Sequence, residues 1–187
     1  MVDVTLVVSV GVLIGLIVVA LIAIYAARYK KVPPDAAMVL YGRRYKSGRG
    51  YEVWTGGGKF IVPIVESYRF LPLGIRTLDV AVNEIVTDVV RSGARVNIKA
   101  VAQVRVSDDP DTLRTAASQL LHKSDQEINE IALKTLEGHV RGVCATLTIE
   151  QINSDRDAIA SKILTMAGED LKNMGIEIRS FVIKEIE

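Results

Sequence analysis

The residue types that could do chemistry gather in KTLEGHVRGVCATLTIEQINSDRD, Lys134 to Asp157, with the only cysteine, Cys144, one of two histidines, His139, and the carboxylates Glu137, Glu150, Asp155 and Asp157. A thiol nucleophile needs a base within about 2.6–3.2 Å. His139 and Cys144 are five residues apart, so on one helix they diverge by about 140° around the axis. They meet only if the helix ends near Gly142, and nothing then orients the imidazole. Cys144, between Val143 and Ala145, reads as a small core hydrophobe, because free cysteine behaves as one when buried. The carboxylates read as solvated, or as paired with Arg141 and Arg156. No catalytic residue is assigned, and the chain reads as non-enzymatic.

Other ligand chemistries fare no better. His122 and His139 fall in what read as different helices, and no other His or Cys completes the three or four ligands that zinc requires. Gly56-Gly57-Gly58-Lys59 lacks the spacing of a phosphate loop and leads into strand-like residues, so it reads as a flexible turn. Neither a cofactor nor a metal site is expected.

Elements that would hold these residues divide at the N-terminus. Val4 to Ala27 is an uncharged apolar run, and 24 residues make about 36 Å of helix, enough to cross a hydrocarbon core of about 30 Å. Asp3 and the length of the run argue against a secretory signal peptide, so a retained anchor is expected over residues 1–31. A buried helix of a larger core and a re-entrant segment are the alternatives. Arg28, Lys30 and Lys31 follow the run, which orients a single-pass anchor with its C-terminal domain cytoplasmic. Tyr25 and Tyr29 sit where interfacial aromatics are favoured. One cysteine admits no internal disulfide, in keeping with a reducing compartment.

Net charge is +1, unevenly spread. Arg28, Lys30, Lys31, Arg43, Arg44, Lys46 and Arg49 face only Asp35 between residues 28 and 50. Such a collar beside a membrane exit attracts anionic lipid by about 1 kcal/mol per side chain. It also simply satisfies the positive-inside rule. Nucleic acid is not expected, because the apolar anchor beside the basic residues favours lipid as their partner. Tyr51, Trp54 and Phe60 could reach the interface, with a core role favoured for Phe60.

Residues 32–187 read as one α+β domain. It is strand-rich over 32–107, helix-rich over 108–175 and closed by a strand over 176–187. Val32-Pro33-Pro34-Asp35 is a stiff exit. Pro63 and Pro72 restrict their segments to edges or bulges. Ala94 to Val106 alternates strictly, as a strand with one wet face does, and Thr87 to Arg91 could return beside it through Ser92-Gly93. Asp109-Pro110, Ser124 to Glu127 and Thr148 to Gln151 have the form of helix starts, and Ser154 could cap the next helix. Gly175 is placed to end that helix in a left-handed conformation.

Several stretches resemble flotillins, members of the SPFH (Band 7, prohibitin homology) superfamily: VPPDAAMVLYG, GGGKFIVPIVESYRFLPLGIRTLDV, VNIKAVAQVRV, TLEGHVRGVCATLTIEQINSDRD and DLKNMGIEIRSFVIKEI. They lie in family order over about residues 32 to 187. The resemblance implies a prokaryotic type of SPFH domain, a small mostly antiparallel sheet with packed helices, behind one transmembrane anchor. It further implies a non-enzymatic homo-oligomer that organises ordered lipid microdomains and membrane proteins. Bacterial members are commonly paired with a small membrane protein carrying an OB-fold domain. Some superfamily relatives instead restrain a membrane-bound protease, usually from outside the cytoplasm. Flotillins continue beyond a segment like IKEIE into a long helical region that drives much of their assembly, whereas this sequence stops at Glu187. Animal flotillins are acylated on membrane-proximal cysteines, and Cys144 is poorly placed for that.

Overall fold

In the computed structural model, residues 4–42, 50–87 and 94–187 are described, without the side chains of residues 4–7 and 9. An apolar helix, α1 (Val4–Arg28), runs straight into β1 (Tyr29–Lys31). Then come β2 (Ala36–Tyr41), β3 (Tyr51–Trp54), β4 (Gly58–Phe60), β5 (Ser67–Pro72), β6 (Arg76–Val86) and β7 (Arg95–Val106). The helices α2 (Pro110–Leu120), α3 (Asp125–Cys144), α4 (Ile149–Ser154) and α5 (Arg156–Asn173) precede the closing strand β8 (Ile176–Ile186). α1 is long and apolar enough to cross a membrane, and none of its apolar window is buried.

Strands pair antiparallel in three ladders: β1 with β4, β3–β2–β5, and β6–β7–β8. The alternation along β7 resolves as expected, with Val96, Ile98, Ala100, Ala102, Val104 and Val106 all buried. They meet a helical layer through Leu113 and Leu120 of α2, Ile128, Leu136 and Val140 of α3, and Ile163 and Leu171 of α5. β2 is buried on both faces, which is why it reads as an unbroken apolar run. Ala37 and Val39 join this large core, while Met38 and Leu40 form a second, small one with Val32 and Ile61.

Helix starts follow the sequence closely. Asp109 accepts from the Thr112 N–H with Pro110 behind it, and both Ser124/Glu127 and Thr148/Gln151 close reciprocal capping boxes. Asp155, not Ser154, caps α5 by accepting from the Ala158 N–H, because α4 extends to Ser154. Gly175 follows α5 at φ +87°. It lies against the backbone of Ala116, so two constraints demand glycine there.

Other expectations are corrected. The described strand beside β7 is Arg76–Val86, and Thr87 adds bonds to Ala94 O from both its N–H and its hydroxyl; residues 88–93 lie outside the described residues. A bulge between Val82 and Ile85 lets the longer strand keep its inward face, with Glu84 at φ 54° donating its N–H to Asn97 Oδ1 at 2.9 Å. Gly58 and Lys59 are not turn residues but belong to β4. Phe60 is 41% exposed and outside both cores. His122 lies in the turn between α2 and α3.

Candidate membrane-facing site

The place where α1 enters the domain gathers the aromatic and basic residues singled out above. Its frame is the small β1–β4 ladder, whose register sets Tyr29 against Phe60, Lys30 against Lys59 and Lys31 against Gly58. A Cβ at Gly58 would meet the far end of the exposed Tyr29 ring, so a larger residue there must displace that side chain. One turn earlier, the Tyr25 ring stacks on Phe60 at 5.2 Å between centroids. The Ile61 N–H donates to Arg28 O at 3.1 Å, and the Val32 N–H to Gly57 O at 2.9 Å. The exposed side chains of Arg28, Lys30 and Lys31 form a basic rim.

Beyond Ile61 the chain turns through Val62–Val65, and this turn is apolar and outward. Ile64 is 93% exposed, and Val62 and Val65 are exposed too. Glu66 braces the turn: its N–H donates to Val62 O at 2.8 Å, and its carboxylate faces the Val62 N–H at 3.4 Å. Pro63 gives the turn its fixed φ and removes a donor that would otherwise need a partner. Ile64 is three residues from Ile61, and so within about 11 Å by chain reach of the residue whose N–H bonds the last carbonyl of α1. Sequence reading missed this wedge because FIVPIV scans as a strand. The signal available was a proline inside an apolar run that an acidic residue closes.

Trp54 and Lys59 form a second feature beside the ladder. Lys59 Nζ lies 4.5 Å over the Trp54 ring and 2.7 Å from Glu52 Oε2. The Lys59 ammonium, hydrogen-bonded to it, holds the Glu52 carboxyl below its usual range. Trp54 is half-buried against the small core. Tyr51 points elsewhere: its hydroxyl donates to Arg114 O at 3.2 Å, tying β3 to α2. Arg43, Arg44, Lys46 and Arg49 lie outside the described residues.

The apparent thiol site does not assemble. Both residues lie on α3, where His139 Nε2 is 2.8 Å from Asp170 Oδ2 of α5 and Cys144 is fully buried. Burial pushes the Cys144 thiol up to about 11, whereas a nucleophilic cysteine needs its thiolate stabilised. Asp155 is used as a cap. Glu150 is held below the usual carboxyl range by its own backbone N–H and by Thr148. Among the described residues, Glu137, Glu150, Asp155 and Asp157 make no ion pair with Arg141 or Arg156, and no group of three or more His, Cys, Asp or Glu could hold a metal.

An antiparallel α+β domain carried on an exposed apolar helix, with residues 30–187 matching the SPFH domain / Band 7 family, places the chain in that family. Within it the chain is flotillin-like. It is 29% identical to "Flotillin-like protein FloT" of Bacillus subtilis over 178 residues, covering 91% of this chain and 34% of the relative. It is 38% identical to Flotillin-2 of Carassius auratus over 155 residues (83% of this chain, 35% of the relative), and 34% identical to Flotillin-1 of Homo sapiens over 155 residues (82% and 35%). The chain thus spans about a third of the length of these relatives.

Proposed function

We propose that the protein is a membrane-anchored, non-enzymatic scaffold, in which α1 spans the bilayer once and holds the SPFH domain of residues 32–187 against the cytoplasmic leaflet. The observation that carries this reading is α1 itself, an apolar helix with no cover from the rest of the chain, joined without a linker to the folded domain. In water such a surface would be costly, whereas a hydrocarbon core of about 30 Å accommodates it. Arg28, Lys30 and Lys31 favour the cytoplasmic side.

Arg28, Lys30 and Lys31 meet anionic headgroups on this reading, joined by Arg43, Arg44, Lys46 and Arg49. Tyr25 and Tyr29 lie at the interface, with the Val62–Val65 wedge beside them and Trp54 just above. Tyr51 is the weakest member of the set, since α2 holds its hydroxyl. Homo-oligomerisation would follow from orientation: anchored copies share one plane, so weak lateral contacts act at high effective concentration. Such an array could organise lipid microdomains and membrane proteins, a small OB-fold membrane protein among them. The likeness to flotillins supports this part of the reading.

Alkaline carbonate extraction of membranes containing the full chain tests the anchor. The chain should stay in the pellet, and removal of residues 1–28 should release it. Release of the full chain would sink the reading. The mass of the detergent-extracted protein should be several times 20.4 kDa; a monomer would remove the scaffold part.

A further inference from the structure

The junction between α1 and the domain has no slack. Every residue from Arg28 to Val32 has a partner across it. Arg28 O accepts from the Ile61 N–H, Tyr29, Lys30 and Lys31 are paired with β4, and the Val32 N–H donates to Gly57 O. The Val32 side chain is buried with Met38, Leu40 and Ile61. Tyr25, still within α1, stacks on Phe60. A flexible linker behaves as a coil because its residues lack such contacts. This junction is the opposite case.

Length supplies the second observation. The 25 residues of α1 make about 37 Å of helix against a core of about 30 Å. A helix longer than the bilayer is thick tilts, and tilts further as the bilayer thins. With a linker, that tilt would stop at the membrane surface. Without one, it carries the domain with it.

We infer that α1 and the domain move as one body, so that bilayer thickness sets, through the tilt of α1, how deeply the Val62–Val65 wedge sits in the lipid interface. The inference rests on the membrane-anchored reading above. Ile64 is 93% exposed, so a tilt that carries it into the interface buries apolar surface, which makes that direction the favoured one. Thin bilayers therefore drive the wedge down, and thick ones lift it. Copies of the protein would adopt one seating in thin regions of a membrane and another in thick regions, without any ligand.

The test uses the full chain with Ile64→Cys carrying an environment-sensitive dye, since the native Cys144 is fully buried and will not take the label. The protein is reconstituted into phosphatidylcholine vesicles of short, medium and long monounsaturated chains, and dye quenching by lipid-borne nitroxides is measured in each. Quenching should rise steadily, by about twofold from the longest to the shortest chains. It should weaken in Y25A/F60S, which keeps the backbone pairing of β1 with β4, and become independent of chain length in a second variant with four Gly/Ser residues inserted between Arg28 and Tyr29. Both variants leave the two cores untouched, and circular dichroism checks their fold. Strong quenching that ignores thickness in the parent protein overturns the coupling but leaves the membrane seat standing. Persistence of the thickness dependence in both variants overturns it as well. Absence of quenching in every bilayer removes the seat itself, and the inference with it.

Discussion

Tyr25 in the last turn of α1 stacks on Phe60 of β4, ring centroids 5.2 Å apart and planes 27° apart. This contact joins the anchor to the domain through side chains that are both largely exposed. An aromatic pair is worth about 0.5–1.5 kcal/mol beyond its buried area. Phe60→Ala should therefore lower the melting temperature in detergent by a few degrees, at about 2–4 °C per kcal/mol for a chain of this size. Phe60→Tyr should restore it. An unchanged melting temperature in Phe60→Ala would mean that the stack holds nothing.

Cys144 offers a pH test. Its thiol is raised from about 9.0 to about 11 by burial, so the folded state keeps a proton that the unfolded state gives up. The resulting stability is fully present below pH 9 and is lost as pH climbs through 11, roughly 2–3 kcal/mol in all. In urea unfolding, Cys144→Ala should show a smaller decline over that range than the parent. Cys144→Ser should lose about 1–3 kcal/mol at neutral pH, because a hydroxyl replaces a thiol among apolar neighbours. Equal alkaline decline in the parent and Cys144→Ala would contradict the assignment.

Two glycines should respond with opposite signs. Gly175→Ala forces a Cβ into the left-handed region and against the Ala116 backbone. Strain of about 1–2 kcal/mol plus overpacking gives a loss of about 3 kcal/mol. Gly138 lies within α3 with open space around its missing Cβ, so Gly138→Ala should gain about 0.5–1 kcal/mol. Chemical denaturation of the two variants reads both numbers. A loss on Gly138→Ala would point to a contact that the isolated chain lacks.

The basic rim can be tested through its charge. Neutralising Arg28, Lys30 and Lys31 in a domain lacking residues 1–27 should weaken partition onto anionic vesicles by about 1 kcal/mol per residue, more than a hundredfold in total. High salt should erase the difference. Neutralising Arg43, Arg44, Lys46 and Arg49 should act in the same direction. Unchanged partition would leave these residues with topology as their only role.

Local periodicity made much of this fold legible. The strict alternation along β7 and the reciprocal caps at Ser124 and Thr148 were readable because neighbours in sequence determine them. The partnership of β1 with β4 was not. Each is three residues long, too short for a pattern, and the pairing joins Tyr29 to Phe60. For Phe60 the sequence offers the interface or the core and favours the core, yet its ring partner comes from α1, which no local rule relates to it. His139 gives the same lesson: its partner Asp170 lies on another helix, so only tertiary packing reveals that the imidazole is engaged away from Cys144. The wedge at Ile64 was invisible for a further reason. An exposed apolar residue and a buried one look alike until the rest of the chain is placed around them.

On the proposed reading, α1 crosses the bilayer with the domain on the cytoplasmic side. Lys184 on β8 is 63% exposed in its side chain, so Lys184→Cys provides an accessible thiol far along the chain from the anchor, while Cys144 stays buried. A membrane-impermeant maleimide should leave this cysteine unlabelled in intact cells and label it fully once the membrane is permeabilised. Equal labelling before and after permeabilisation would place the domain outside the cytoplasm, contradict the anchored cytoplasmic scaffold and favour the protease-restraining arrangement instead.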